Sequence, residues 1–321
     1  MLALTVSSLF LAIGAVFIFK FLKADGDFTL LSKGKVKHQE IEDKVIWITG
    51  ASRGIGEVLA KQLASLGAKL IISARNEVEL ERVKKQLTGK HAPDEVVILP
   101  LDLSRGEEHL AEAVKKAESL FGGVGVDYVF QNAAFERPKS LALDVSEESL
   151  KATFDVNVLG PISLTRLLLP HMLKRGRGHF VVMSSAAGKT PAPGQAVYSA
   201  SKFAVNGYFH SLRSELCRRG IKVTIVCPGP VKTTTSSGTS SSEKRVSSER
   251  CAELTIIAAS HGLKEAWISY QPVLAVMYLV QYAPTVGYWL MDKIGEKRVA
   301  VAAEKGNTYS LGLLFGKKKA S

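Results

Sequence analysis

An α/β fold, one doubly wound parallel sheet of six to seven strands covered by helices on both faces, is what the sequence predicts, and two observations predict it. From Ile41 onward, short β-branched runs alternate with helical patterns, which is the signature of βαβ units. A glycine-rich turn stands directly after the first of those runs, where a parallel strand passes into its crossover helix. The runs are VIWIT at 45–49, LIISA at 70–74, VVILPL at 96–101, DYVFQ at 127–131, HFVVMS at 179–184 and KVTIVC at 222–227. A seventh, shorter strand is expected around Ala266–Ser269. No internal repeat shows, and the one low-complexity segment, TTTSSGTSSSEKRVSSE at 233–249, reads as a polar loop.

The chain has 321 residues, 46% hydrophobic and 22% charged, enough for a sizeable core and too apolar for disorder. Its three cysteines, Cys217, Cys227 and Cys251, are too few and too scattered for a disulfide framework, and no C-x-x-C pair suggests zinc or redox work. The seven histidines lack the H-E-x-x-H spacing of a zinc hydrolase, so no metal is expected. A formal charge of +12 is compatible with nucleic acid, an anionic membrane surface or an anionic cofactor. The cations are spread along the chain, and no zinc finger, RRM or basic zipper accompanies them, which argues against nucleic acid.

Residues 1–19, MLALTVSSLFLAIGAVFIF, carry no side-chain charge. With Phe21 and Leu22 the apolar stretch reaches the length needed to cross about 30 Å of hydrocarbon. A cleaved signal peptide wants a basic segment before the apolar one and a small-residue cleavage site after it, and neither is clear, so an uncleaved anchor over 1–22 is the expectation. Lys20, Lys23, Lys33, Lys35 and Lys37 all follow the span, which places the main body on the cytosolic side. The absence of N-x-S/T sequons agrees with that side, and the ending KKAS looks like a dilysine retrieval signal of endoplasmic reticulum membrane proteins or a merely solvated basic end.

In the turn after the first strand, Gly50, Gly54 and Gly56 open a helix. A Rossmann-type dinucleotide fold needs glycines there for the turn, for close approach of backbone to pyrophosphate and for tight helix packing. The spacing is G-x-x-x-G-x-G. The second strand should end near the adenosine ribose, where an acid binds the 2′-hydroxyl of NAD and a base accepts the 2′-phosphate of NADP. It ends in Ser73, Ala74 and Arg75, and Arg53 within the turn reaches toward the same place, which favours NADP(H) over NAD(H). Asp102, after the third strand, is the candidate for the adenine amino group.

Tyr198 and Lys202 stand four residues apart in VYSASKFAVNGYF, one helical turn, so their polar ends share a face. Among eight tyrosines such a pair arises by chance about half the time. Its weight comes from company. TGASRGIG at 49–56, QNAA at 131–134, Asn157 in NVLG, MSSAAG at 183–188, YSASK at 198–202 and CPGPV at 227–231 together resemble the classical short-chain dehydrogenase/reductase family, in order and spacing over roughly residues 41–270. ADGDFTLL at 24–31 and LKEAWISYQPVLAVMYLVQYAP at 263–284 resemble a membrane-anchored branch of it, with hydroxysteroid dehydrogenases as more distant relatives.

The resemblance implies a catalytic set. Tyr198 is then the general acid that protonates a carbonyl oxygen, Lys202 the charge that lowers its pKa and the holder of the nicotinamide ribose, and Ser185 a hydrogen-bond donor to the same oxygen. Asn157 is the fourth member, which in the family positions a relay water. Ser184 falls one residue short of the family spacing. Cofactor contacts implied are Gly50, Ser52, Arg53, Gly54, Ile55, Gly56, Arg75, Asp102, Asn132, Tyr198, Lys202, Pro228, Gly229, Val231 and Thr233, with Val231 meeting the carboxamide. One departure is Ala134, where the family commonly has glycine.

The polar loop and the helix starting near Ser248 occupy the usual substrate lid, and beyond it PVLAVMYLVQYAPTVGYWLM at 272–291 is apolar but interrupted by Pro272, Pro284 and Gly287. A second membrane span is one reading; broken helices that lie on the bilayer or cap the site are the favoured one. The expected plan is an anchor over 1–22, a juxtamembrane linker over 23–40, the dinucleotide-binding and catalytic domain over 41–270 and an apolar, membrane-associated extension with a basic tail over 271–321. The function expected is NADPH-dependent reduction of a lipophilic carbonyl such as a steroid, retinoid or fatty-chain ketone or aldehyde. NAD-dependent oxidation of a lipophilic alcohol and a catalytically idle nucleotide- or lipid-binding membrane protein are the alternatives. Membrane lipid is an expected partner, and the resemblance implies a homodimer.

Overall fold

A computed structural model describes residues 14–136, 140–232 and 244–305. Seven parallel strands form its sheet: β1 Val45–Thr49, β2 Lys69–Ser73, β3 Val97–Ile98, β4 Tyr128–Gln131, β5 Gly178–Met183, β6 Ile221–Pro228 and β7 Glu265–Ile268. Their order across the sheet is β3-β2-β1-β4-β5-β6-β7. The strands are apolar on both faces because both are covered: every residue of β1, β4 and β5 is buried. Alternation splits the core in two. Ile46 and Ile48 of β1 pack with one face, Val45 and Trp47 with the other.

The first face is covered by α1 (Gly54–Ser65), α2 (Glu77–Lys84) and, later in the chain, a helix over Ser248–Ser260; Leu59, Leu63, Leu80, Ile256 and Ile257 supply its apolar stripe. The second is covered by α3 (Glu107–Ser119), then α4 (Glu147–Phe154), whose axis runs through one π-helical turn at Asp155–Leu159 into α5 (Gly160–Arg175), and by α6 (Ala196–Leu216). Leu110, Leu164, Leu168 and Phe209 are buried there. The helix Ser248–Ser260 is α7, capped by the Ser247 hydroxyl accepting from Arg250 N–H.

The expected third strand, 96–101, shortens to two residues. Leu99 and Leu101 still donate to Ile72 O and Ala74 O, so Pro100 between them sits where its missing N–H would face the open sheet edge. The expected seventh strand begins one residue earlier than predicted, at Glu265. In the extension, α8 (Val273–Tyr282) breaks at Ala283 and α9 (Pro284–Lys305) follows. Gly287 makes the corner possible, since a methyl there would press on the Val280 main chain. Among the described residues no helix is long and apolar enough to cross a membrane. The expected anchor begins in residues 1–13, outside the described ones, and continues as helix over 14–23.

The stretch expected as a linker is held against the sheet. Asp27 N–H donates to Trp267 O at 2.9 Å, and Asp27 Oδ2 accepts from Trp267 N–H at 2.6 Å, while Oδ1 caps the turn Phe28–Leu31 through Leu30 N–H. Asp25 pairs with Arg250 of α7 at 2.8 Å. Asp27 is buried, so losing it leaves Trp267 N–H without its partner. Asp27→Ala is therefore expected to lower unfolding free energy by about 2–3 kcal/mol, whereas Arg250→Met, which loses a part-exposed ion pair, should cost under about 1 kcal/mol. Thermal denaturation of the two variants measures both; equal losses would contradict this account of the N-terminal segment.

Candidate active site

Strand order reverses between β1 and β4, and at such a switch point the chains leave to opposite sides and open a crevice beyond the strands' carboxyl ends. Thr49, the last residue of β1, stitches its two walls: its hydroxyl accepts from Asn132 N–H and Ala133 N–H, both at 3.2 Å. The Asn132 amide returns the bond, donating to Thr49 O and Gly50 O, each at 3.2 Å.

Gly50 and Gly54 adopt φ of +68° and +59°, the left-handed region that favours glycine. Gly56 has a different reason to be small: a Cβ there would run into Gly50 O and the Asn132 amide, so α1 could not pack this closely on the turn. No side chain caps α1 at Arg53, which leaves its first amides and its dipole facing the cleft. The cleft holds about 540 Å³, and Gly50, Ser52, Arg53, Gly54, Ile55, Arg75, Asp102 and Asn132 all line it. A glycine cradle, a helix N-terminus and cations at the far end of one long cleft fit a dinucleotide.

Arg53, before α1, and Arg75, just after β2, are both exposed. Asp102 accepts from Ser104 N–H and Oγ–H at 3.0 and 2.7 Å. Burial would raise its pKa, but those bonds and the Arg75 charge outweigh it and hold the carboxylate low. Ala134 also lines the cleft, and its backbone is ordinary: among the described residues only Asp43 and Phe121 are non-glycine with positive φ. The methyl therefore takes space without straining the loop.

The catalytic candidates lie on α6, in the π-helical turn and in the turn that follows β5. Lys202 is buried on α6 and donates Nζ–H to Met183 O at 2.9 Å; its ammonium lies 5.5 Å from the centre of the Tyr198 ring. Burial pulls the Lys202 pKa down to about 8, against the opposing pull of Glu136. Ser185 is half-buried and its Oγ accepts from Ala187 N–H at 3.1 Å, whereas Ser184 is buried with its hydroxyl enclosed in protein. That difference favours Ser185 of the pair. Asn157, in the π-helical turn, is engaged at both ends of its amide: Oδ1 accepts from Phe135 N–H at 2.7 Å, and Nδ2 donates to Phe135 O and Ser201 Oγ at 2.9 and 3.1 Å. Ser201 passes the link on, donating to Tyr198 O at 2.7 Å.

Tyr198 lines a second, smaller cleft of about 230 Å³, whose walls include Ser140, Asp144, Ser149, Thr153 and Gln195. This mouth is more polar than the sequence suggested. Pro228 ends β6, and Gly229 after it is tight against the Ser269 side chain. Val231 starts a short parallel ladder, Val231–Lys232 with Val246–Ser247, at the edge of the core on the first face and away from the walls of the large cleft. Thr233 and most of the expected lid loop lie outside the described residues.

Sequence reading missed three supports. Thr49 and Ser201 stand inside TGASRGIG and YSASK, but nothing in those letters marks their hydroxyls as partners of main chain. Glu265 is the third: it takes Lys189 Nζ at 2.7 Å, His210 Nε2 at 2.6 Å and Trp267 Nε1 at 2.5 Å. Burial would raise its pKa, yet these partners bring it down to about 2. Lys189 follows the Ser185 turn, and its carbonyl accepts from Gln281 of α8 at 3.0 Å, so the extension helps to hold that turn. GASRG at 50–54 also fits the letters G-x-S-x-G of serine hydrolases, but among the described residues no histidine lines the cleft to serve Ser52 as base.

The sequence pattern of the family "short chain dehydrogenase" matches residues 44–244. The chain is 39% identical over 300 residues to dehydrogenase/reductase SDR family member 7 of Homo sapiens, covering 88% of this chain and 87% of that protein. It is 34% identical over 278 residues to family member 7B of Xenopus laevis, covering 80% and 84%. A metagenomic short-chain oxidoreductase in complex with NADP aligns with a TM-score of 0.58 at 27% identity, over 69% of this chain and 92% of that one. A 3-ketoacyl-(acyl-carrier-protein) reductase from Brucella melitensis complexed with NADH aligns at 0.63 and 27%, over 71% and 96%. Glycine cradle, switch-point cleft and these likenesses converge: the chain belongs to the short-chain dehydrogenase/reductase family and is an NAD(P)-dependent oxidoreductase.

Proposed function

We propose that the protein is an NADPH-dependent carbonyl reductase for lipophilic ketones or aldehydes, of steroid, retinoid or fatty-chain type, held at the endoplasmic reticulum membrane. The observation that carries the chemistry is the buried Lys202 ammonium one helical turn from Tyr198, beside the half-buried Ser185. A nicotinamide bound in the large cleft supplies hydride. Ser185 Oγ–H donates to the substrate oxygen as negative charge builds on it. Tyr198 gives that oxygen a proton, and Lys202 lowers the cost of the phenolate left behind. Asn157 fixes the Phe135 loop against α6, which keeps Tyr198 at its post. The same residues run backward would oxidise an alcohol. Arg75 after β2, in place of an acid, and Arg53 in the glycine turn, lining the same cleft, support the phosphorylated nucleotide.

For the membrane, Val16, Phe17, Ile18, Phe19 and Leu22 of the N-terminal helix and Tyr282, Val286, Tyr288 and Trp289 of the extension are each 48% exposed or more. Phe21 packs 5.7 Å from both Phe28 and Tyr278, joining helix 14–23 to α8 in one aromatic cluster. Apolar side chains this exposed and this close to one another suit a lipid surface, with tyrosine and tryptophan at headgroup depth. In this reading residues 1–22 anchor the chain, 271–321 rest on the bilayer, and substrate arrives from the lipid.

Full-length protein offered a panel of steroid, retinoid and long-chain carbonyls should consume NADPH with at least one class, and Tyr198→Phe should lower kcat by about 10²-fold or more; turnover unchanged in that variant would overturn the mechanism. Because the charged form of Lys202 is the useful one and its pKa is lowered to about 8, kcat/KM for reduction should fall as pH rises through about 8. In Lys202→Met that limb should move toward about 10, the range of an untuned phenol; a limb that stays at 8 speaks against the tuning role. Trypsin added to sealed microsomes should digest the catalytic domain, and a shielded domain would put it in the lumen.

A further inference from the structure

The adenosine end of the cleft holds an acid as well as its two arginines. Glu79, in the first turn of α2, lines the same wall as Arg75 and Asn76. A free carboxylate there would repel a 2′-phosphate and suit a 2′-hydroxyl instead. It is not free. Arg82, three residues on, donates Nε–H to Glu79 Oε2 at 2.9 Å. The other side of the same guanidinium grips Glu57 of α1 through two bonds, at 3.2 and 2.8 Å, and donates to Ser52 O in the glycine turn at 3.1 Å. Glu57 is held in addition by Lys61 at 2.6 Å. Arg82 itself does not line the cleft. One planar cation therefore connects the acid of the cleft wall, the first turn of α1 and the main chain that cradles phosphate, a task that needs the fork of an arginine and not the single point of a lysine.

We propose that Arg82 is a positioning residue that sets nucleotide preference: it turns Glu79 aside and neutralises it, so that the pocket at Arg75 accepts a phosphorylated ribose. The proposal rests on the NADPH reading above and deepens it. Neither Arg82 nor Glu79 carries a sequence signal for this role. Their pairing at i,i+3 looks like an ordinary helix-surface salt bridge, and only the fold shows that one of its members faces the nucleotide.

Isothermal titration of the detergent-solubilised full-length protein with NADPH and with NADH, without substrate, tests it. Arg82→Met should weaken NADPH binding about tenfold, the scale of one poorly screened charge contact, while NADH binding changes by less than about threefold. Adding Glu79→Gln to Arg82→Met should return NADPH affinity to within about threefold of wild type. Since the double variant still lacks the bonds to Glu57 and Ser52, recovery can come only from the charge of Glu79. Equal weakening of both nucleotides, or a double variant no better than Arg82→Met, overturns the proposal. Arg75→Ala reports on the underlying reading alone. If it leaves the NADPH to NADH ratio unchanged while Arg82→Met shifts it, the phosphate reading at Arg75 falls and the role of Arg82 stands.

Discussion

The site depends first on a reciprocal pair of residues at the point where strand order reverses. A parallel sheet opens a crevice there because successive crossovers go to opposite faces, but the crevice has a fixed width only if its two lips are tied. Thr49 and Asn132 tie them, each side chain bonding the other's main chain. Gly56 can then approach Gly50 O, the helix behind the turn aims its amides into the gap, and the rest of the nucleotide cleft follows from those positions. Neither residue does chemistry. Their constraint is what turns a row of strand ends into a receptor for an extended anion.

The catalytic half is braced in the same manner, by groups whose own reactivity is beside the point. A π-helical turn swings Asn157 inward, and such turns commonly occur at functional sites. From there its amide holds Phe135 on one side and, through Ser201, the carbonyl of Tyr198 on the other. Glu265 does the equivalent work behind the Ser185 turn, drawing Lys189, His210 and Trp267 to a single carboxylate. A partly buried carboxylate with this many donors is costly to leave unpaired, so loss of one partner strains the others. Residues far apart in the chain, from α6, β7 and α8, are thereby committed to one arrangement behind the Ser185 turn.

Much of this was legible in the sequence because it rests on local periods and on residues with one physical use. Strands β1, β4, β5 and β6 follow directly from β-branched runs, and left-handed turns at Gly50 and Gly54 are the reason glycine is spelled there. The candidates for cofactor contact that gather in one cleft were readable for the same reason. What was not legible is cross-chain. β3 shortens to Val97–Ile98 although Leu99 and Leu101 still donate to the main chain of β2 and beyond, a limit that the apolar run does not show. Nothing in 23–40 announces that Asp27, the cap of the turn Phe28–Leu31, bonds Trp267 on β7 with its other oxygen. The polar lining around Tyr198, with Asp144, Ser149 and Gln195, comes from segments whose meeting no local pattern encodes.

The attachment of Asp27 has one more consequence. β7 is the last strand on its side of the sheet, and it pairs with β6 alone. A bare strand at that position would present unsatisfied amides and carbonyls to any neighbouring chain, which is how sheets recruit foreign strands and aggregate. Asp27 claims both the N–H and the carbonyl of Trp267, closing that border against intruders with the very segment that leads out of the apolar N-terminal helix.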